Sequence, residues 1–296
     1  MGVEKRMSGE VQRVSLKGWS GMNLAADIGG DTRGQAVILL HGGGQTRHSW
    51  RGTMTALMAS GYYVVSYDAR GHGESDWAVD GDYSFDAMRD DLLAVIGTMP
   101  GPAILIGASM GGSTALIAIG ESDATIARAL VLVDIVPRAD RDGVERVRAF
   151  MRANPDGFET LGAASAAVAL YNPARQRPAS PEGLSKNLRR SPDGRLRWHW
   201  DPRVFWGTPP VDLDELALRT TNASRLVRAP VLLVCGSTSD VVRREGAEDL
   251  LELIPQLRIV TVDNAGHMVA GDANDAFNAG IFNFLTDLGS LSGDDS

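Results

Sequence analysis

The sequence predicts an α/β fold, a mostly parallel central sheet wrapped by helices. Three observations predict it. Six short apolar runs recur along the chain, most of them followed at once by Gly or Asp. Unbroken runs of this kind suit strands buried on both faces of a sheet. Segments of helical length separate most of them, and alternating strand and helix builds a parallel sheet with helices packed on it. One interval, from Pro137 to Ala229, lacks any such run and is too long for a plain loop in a compact domain.

The elements follow in order. Val11–Leu16 alternates apolar and polar residues, as a half-buried strand does. Gly18–Gly21 reads as a turn and Met22–Ile28 as a second strand, together a hairpin. The six runs are Ala36–Leu40, Tyr62–Tyr67, Ala103–Ile106, Ala129–Val133, Val231–Cys235 and Leu257–Val262. Helices are expected at Trp50–Ser60, Phe85–Met99, Met110–Gly120, Glu245–Ile254 and Asn274–Leu288. Residues 1–137 and 229–296 would then form the core. Residues 138–228 would be an inserted, mainly helical cap over the carboxyl ends of the strands, the edge where open α/β sheets bind ligands.

Composition narrows the function. The chain has 296 residues, 44% hydrophobic and 22% charged, which excludes disordered, collagen-like and coiled-coil proteins. Its formal charge is −8, a poor match to a nucleic-acid backbone. The single cysteine, Cys235, can form no intrachain disulfide and suits a reducing compartment. No run approaches the roughly 20 apolar residues that span a bilayer. Met1–Glu10 is charged and lacks the apolar stretch of a secretory signal, so a cytoplasmic setting is expected.

The most informative segment is Gly107-Ala108-Ser109-Met110-Gly111, a G-x-S-x-G between an apolar run and a helix. A sharp strand-to-helix turn needs small residues on either side of the serine, because their backbones nearly touch. The turn lifts the hydroxyl to a helix N-terminus, where N–H groups stabilise developing negative charge. A serine is a weak nucleophile until a base takes its proton. Of five histidines, His267 follows the last predicted strand and can present its ring at the same edge. The base needs an acid to fix its tautomer. Asp240, after the Val231–Cys235 run, is the first candidate, and Asp134, after the Ala129–Val133 run, is its rival.

These residues resemble the α/β-hydrolase superfamily, whose Ser…Asp…His order is matched by Ser109, Asp240 and His267. His41-Gly42, Asp68–Ser75, Gly236–Asp240 and Gly266-His267 match its other landmarks, so the likeness covers about Val11–Leu288. It is similar above all to the branch holding cofactor-free non-haem peroxidases (perhydrolases), small esterases and epoxide-hydrolase-like proteins. The resemblance implies the α/β-hydrolase fold and an oxyanion hole made by the N–H groups of Gly43 and Met110. It implies no metal and no cofactor. Epoxide hydrolases use an aspartate at this turn, so Ser109 points to acyl transfer instead. Arg70 and His72 are expected to hold the Asp68–Ser75 loop beneath the site.

The expected activity is a serine hydrolase that cleaves a carboxylic ester or related acyl bond through an acyl-enzyme. Perhydrolysis, carbon–carbon bond hydrolysis and a non-catalytic small-molecule receptor are the alternatives on the same fold. The expected partner is a small acyl substrate with an apolar group, with no nucleic acid and no membrane. Gly44, Trp198, Trp200, Phe205 and Trp206 are the candidate pocket residues. Extra glycine in the oxyanion loop makes room, and the aromatic cluster supplies apolar lining.

Overall fold

A computed structural model describes residues 10–171, 181–207, 211–266 and 274–290. Eight strands form one sheet in the order β1-β2-β4-β3-β5-β6-β9-β10. They are β1 (Gln12–Lys17), β2 (Asn23–Gly29), β3 (Ala36–Leu40), β4 (Tyr63–Tyr67), β5 (Ala103–Ala108), β6 (Ala127–Val133), β9 (Val231–Gly236) and β10 (Leu257–Val262). β1 and β2 pair antiparallel, and β2 meets β4 antiparallel. The other six strands run parallel.

Strand periodicity divides the core into two layers. Along β3, Ala36, Ile38 and Leu40 face one side while Val37 and Leu39 face the other. β5 repeats this with Leu105 opposite Ile104 and Ile106, and β9 with Leu233 opposite Leu232 and Val234. Successive side chains of a strand point to opposite faces, so a continuous apolar run is needed where both faces are covered. The first layer is covered by α2 (Phe85–Ile96), α3 (Met110–Gly120), α7 (Leu213–Leu226) and α8 (Arg244–Leu253). The second is covered by α1 (Arg51–Ala59) and α9 (Asn274–Ser290), which contribute Met54, Leu57, Phe277, Ile281 and Phe284. Nearly all of α3, which carries no charged residue, is buried.

Between β6 and β9 lie α4 (Arg141–Arg152), α5 (Leu161–Tyr171), a 3-10 turn (Pro181–Asn187), β7 (Leu188–Arg190), β8 (Leu196–Trp198), α6 (Arg203–Trp206) and α7. Two of these helices start on aspartates that accept backbone N–H groups of the first turn, Asp140 from Gly143 and Asp212 from Asp214 and Glu215. β7 and β8 make a separate two-stranded antiparallel sheet that the reading of a helical insertion leaves out. α7 packs against α3 so closely that a Cβ on Gly120 would stand 2.4 Å from Ala223 Cα. Ala223 and Val227 belong to the core of the first layer. The sequence reading groups α7 with the inserted residues 138–228, whereas its packing puts it in the helical layer of the sheet. Among the described residues, no helix is long and apolar enough to cross a membrane.

Candidate active site

The strand order reverses direction at β3, with β4 on one side and β5 on the other. Loops leaving the carboxyl ends of β3 and β5 therefore flank a crevice. Ser109 follows β5 with φ 44° and ψ −113°, a left-handed conformation that a serine adopts only under constraint. Its N–H donates to Val133 O at 3.1 Å, and its carbonyl accepts from Ser113 N at 2.9 Å. Glycines permit the turn. A Cβ on Gly107 would stand 2.6 Å from Gly111 O, and one on Gly111 2.6 Å from Leu40 O.

The loop after β3 comes up against the serine. A Cβ on Gly42 would stand 3.5 Å from Ser109 Cβ. Within this loop the N–H of Gly42 donates to Gln45 Oε1 at 3.0 Å and that of Gly44 to His72 Nε2 at 3.2 Å. The N–H of Gln45 donates to Gly42 O at 3.1 Å. Among the described residues, Gly43 N–H is the member of the run without an acceptor. Met110 is the first residue of α3, where backbone N–H groups have no intrahelical partner.

Three buried histidines hold this loop, with His72 between His41 (ring centroids 5.1 Å apart) and His199 (6.0 Å). His41 Nε2 accepts from Ala69 N, and His199 Nδ1 accepts from Gly73 N. His72 Nε2 accepts from Gly44 N. A backbone N–H can only donate, so in each ring the other nitrogen carries the hydrogen. Those hydrogens go to Gly42 O, Gly44 O and Arg70 O from His41, His199 and His72 respectively. All three rings are thus held neutral. Burial pushes their pKa values below the usual 6.5, that of His199 down to about 3. His199 grips Gly44 from the hairpin side, a positioning role that the sequence reading misses.

Beneath the loop, buried Arg47 pairs with Asp68 and Glu74, and with Asp27 at 3.0 Å. Asp68 also accepts from Arg47 N at 2.6 Å and Glu74 N at 2.9 Å. Arg70 makes a two-point pair with Asp91 at 2.6 and 2.8 Å. These bonds fix the Asp68–Ser75 turn, the role expected for Arg70 and His72. Cys235 is a buried thiol at the end of β9, its pKa raised by burial.

The two acid candidates differ sharply. Asp134 follows β6, one residue past the Val133 carbonyl that receives Ser109 N–H, with φ 50°. It is 1% exposed, and its carboxylate accepts from Gly236 N at 3.2 Å and Ser239 Oγ at 2.6 Å. Asp240 instead is partly exposed, its side chain 40% accessible and paired with Arg146 at 3.1 Å. The predicted base, His267, lies outside the described residues.

Above Ser109 opens a cavity of about 1350 Å³. Gly43, Gly44, Ser109, Met110, Trp198, Trp200 and Phe205 line it. Trp198 stacks on Trp200 at 5.0 Å, and Phe205 meets Trp200 edge-on at 5.5 Å. Phe205 covers Gly43, its ring 3.4 Å from where a Cβ would stand. Trp206 does not line the cavity and is 39% exposed. Among the described residues, no group of three or more His, Cys, Asp or Glu side chains is arranged to hold a metal ion.

The comparisons with known proteins agree with this architecture. Residues 35–273 match a family described as the alpha/beta hydrolase fold. The esterase Rv0045c of Mycobacterium tuberculosis is 29% identical over 273 residues, 89% of this chain and 85% of its own. The sn-1-specific diacylglycerol lipase ABHD11 of Mus musculus is 29% identical over 268 residues, 87% of this chain and 83% of its own. The crystal structure of E-2-(acetamidomethylene)succinate hydrolase superposes with a TM-score of 0.82 at 24% identity, covering 94% of this chain and all of that one. A strained serine between β5 and α3, a glycine loop beside it and a match over most of the length lead to one assignment: the chain belongs to the α/β-hydrolase family of enzymes.

Proposed function

We propose that the protein is a serine hydrolase that cleaves a carboxylic ester or related acyl bond. One observation supports this above the rest. Ser109 stands in a strained strand-to-helix turn against a glycine loop whose Gly43 N–H has no acceptor among the described residues, at the floor of a large cavity. The relatives named esterase and diacylglycerol lipase, and a methylesterase 32% identical over 136 residues, support ester chemistry.

In this reading Ser109 Oγ attacks the acyl carbonyl while His267 takes its proton. The N–H groups of Gly43 and Met110 stabilise the oxyanion, a contribution of about 3–4 kcal/mol per donor in comparable sites. His267 then protonates the leaving alcohol and activates water to release the acid. For the acid we favour Asp134 over Asp240. Asp134 is buried, oriented by hydrogen bonds from Gly236 and Ser239 and adjacent to the acceptor of Ser109 N–H, while Asp240 is committed to an exposed pair with Arg146. Residues 138–212 are proposed as the cap, because α4, β8 and α6 supply the roof of the cavity.

The test is hydrolysis of a graded series of p-nitrophenyl esters by the native chain and by Ser109→Ala. Turnover by the native chain, reduced by several orders of magnitude in the variant, is expected. Equal rates for the two proteins would rule the mechanism out.

A further inference from the structure

The cavity above Ser109 is apolar near the serine and carries charge on its walls. Six arginines line it: Arg138, Arg141, Arg148, Arg152, Arg203 and Arg219. Five have a carboxylate partner. Arg138 meets Asp249, Arg141 meets Asp214, Arg148 meets Glu145, Arg203 meets Asp201, and Arg219 meets Asp86 and Glu121. Arg152 is the exception among the described residues. Its single hydrogen bond runs from Nε to the carbonyl of Phe205 at 2.8 Å.

Its place in the fold brings it to the wall of the cavity that Ser109 also lines. Arg152 is the last residue of α4, and its neighbour Met151 packs on the oxyanion loop, the sulfur 2.5 Å from where a Gly44 Cβ would stand. The Phe205 whose carbonyl it grips covers Gly43 with its ring. The Nε bond holds the guanidinium at the cavity wall, and among the described residues its two Nη groups have no acceptor. Arg152 is half-buried, and a guanidinium without a carboxylate partner gains charge-assisted hydrogen bonds when a ligand supplies one.

We propose that Arg152 is a substrate anchor, and that the natural substrate is an acyl compound carrying a carboxylate remote from the scissile carbonyl. The two Nη groups form the end of a planar fork that matches the two oxygens of a carboxylate. One unneutralised guanidinium balances one negative charge, which favours a carboxylate over a phosphate dianion. The aromatic wall of Trp198, Trp200 and Phe205 takes the hydrocarbon between the two groups. This rests on the acyl-transfer reading for its reaction but not for its binding site.

The experiment compares mono-p-nitrophenyl glutarate with p-nitrophenyl valerate, which lacks the terminal carboxylate, in the native chain, Arg152→Gln and Arg152→Lys. The native chain is expected to prefer the glutarate ester. In Arg152→Gln the ratio of the two kcat/KM values should fall about 10- to 100-fold, carried by KM, as loss of a charge-assisted bond predicts. Arg152→Lys should restore part of the ratio. A ratio unchanged by Arg152→Gln, or no native preference, overturns the anchor while leaving ester hydrolysis standing. Calorimetric titration of Ser109→Ala with glutarate, with and without Arg152→Gln, reads binding without turnover. Saturable binding lost with Arg152 keeps the anchor even if neither ester is cleaved, an outcome that would instead overturn the acyl-transfer reading. Absence of glutarate binding to Ser109→Ala counts against the anchor.

Discussion

At the scale of single residues, the site depends on what each polar atom is already bonded to. Asp134 and Asp240 both follow strands at the carboxyl edge of the sheet, and the sequence separates them only by which strand each follows. The structure separates them by solvent. A triad acid works by holding the base in one tautomer and stabilising its charged form, which needs a fixed carboxylate in a dry setting. Asp134→Asn is therefore expected to lower kcat by several orders of magnitude, toward the roughly 10⁴-fold of comparable triads. Asp240→Asn should lower it by less than about tenfold, since exposed ion pairs contribute about 0–1 kcal/mol. Steady-state kinetics on one p-nitrophenyl ester decides, and the opposite ranking would return the role to Asp240. Burial matters equally at Arg47, whose pairing neutralises buried Asp68. Arg47→Met leaves that carboxylate without its cation and should cost about 3–5 kcal/mol of stability, read from urea unfolding.

At the scale of elements, most strands and helices announce themselves in the sequence. The six apolar runs each become a parallel strand, with no end displaced by more than two residues. Helix α2 stops at Ile96 rather than Met99, where backbone turns replace the helix. The β7–β8 hairpin is harder to see because each strand has three residues. Its one local signal is Ser191-Pro192-Asp193-Gly194, with Gly194 at φ 81° and Ser191 N donating to Arg195 O. The α3–α7 crossing leaves no such signal, since nothing in the sequence near Gly120 tells that Ala223 will touch it. Gly120→Val is predicted to destabilise by about 1–3 kcal/mol through overpacking, seen as a lower Tm with a normal far-UV spectrum. A Tm equal to that of the native chain would show that the two helices can separate without cost.

At the scale of the whole molecule, the His41–His72–His199 cluster ties the β3 loop, the Asp68–Ser75 turn and the hairpin into one unit. Its protonation has a defined sign. The folded pKa values lie below the usual 6.5, so as pH falls the unfolded chain binds protons that the native state refuses. Stability is full above about pH 6.5 and is lost progressively as pH falls toward about 3, where folded His199 protonates. The urea midpoint should drop between about pH 7 and 5, and His199→Gln should flatten part of that slope. A midpoint constant over this range would mean that the rings are not held neutral.

The sequence by itself determined the sheet, the order of its strands along the chain and the strained serine turn. Each is set by local pattern: unbroken β-branched runs, helical spacing, and glycines where backbones must touch. Only the tertiary structure decided which aspartate is dry, which of six cavity arginines lacks a counter-charge among the described residues, and that His199 holds the glycine loop after β3. These depend on contacts between residues as far apart as Gly44 and His199, or Asp134 and Gly236. A polar atom's role is set by its partner and its distance from water, and neither is fixed until the chain has folded.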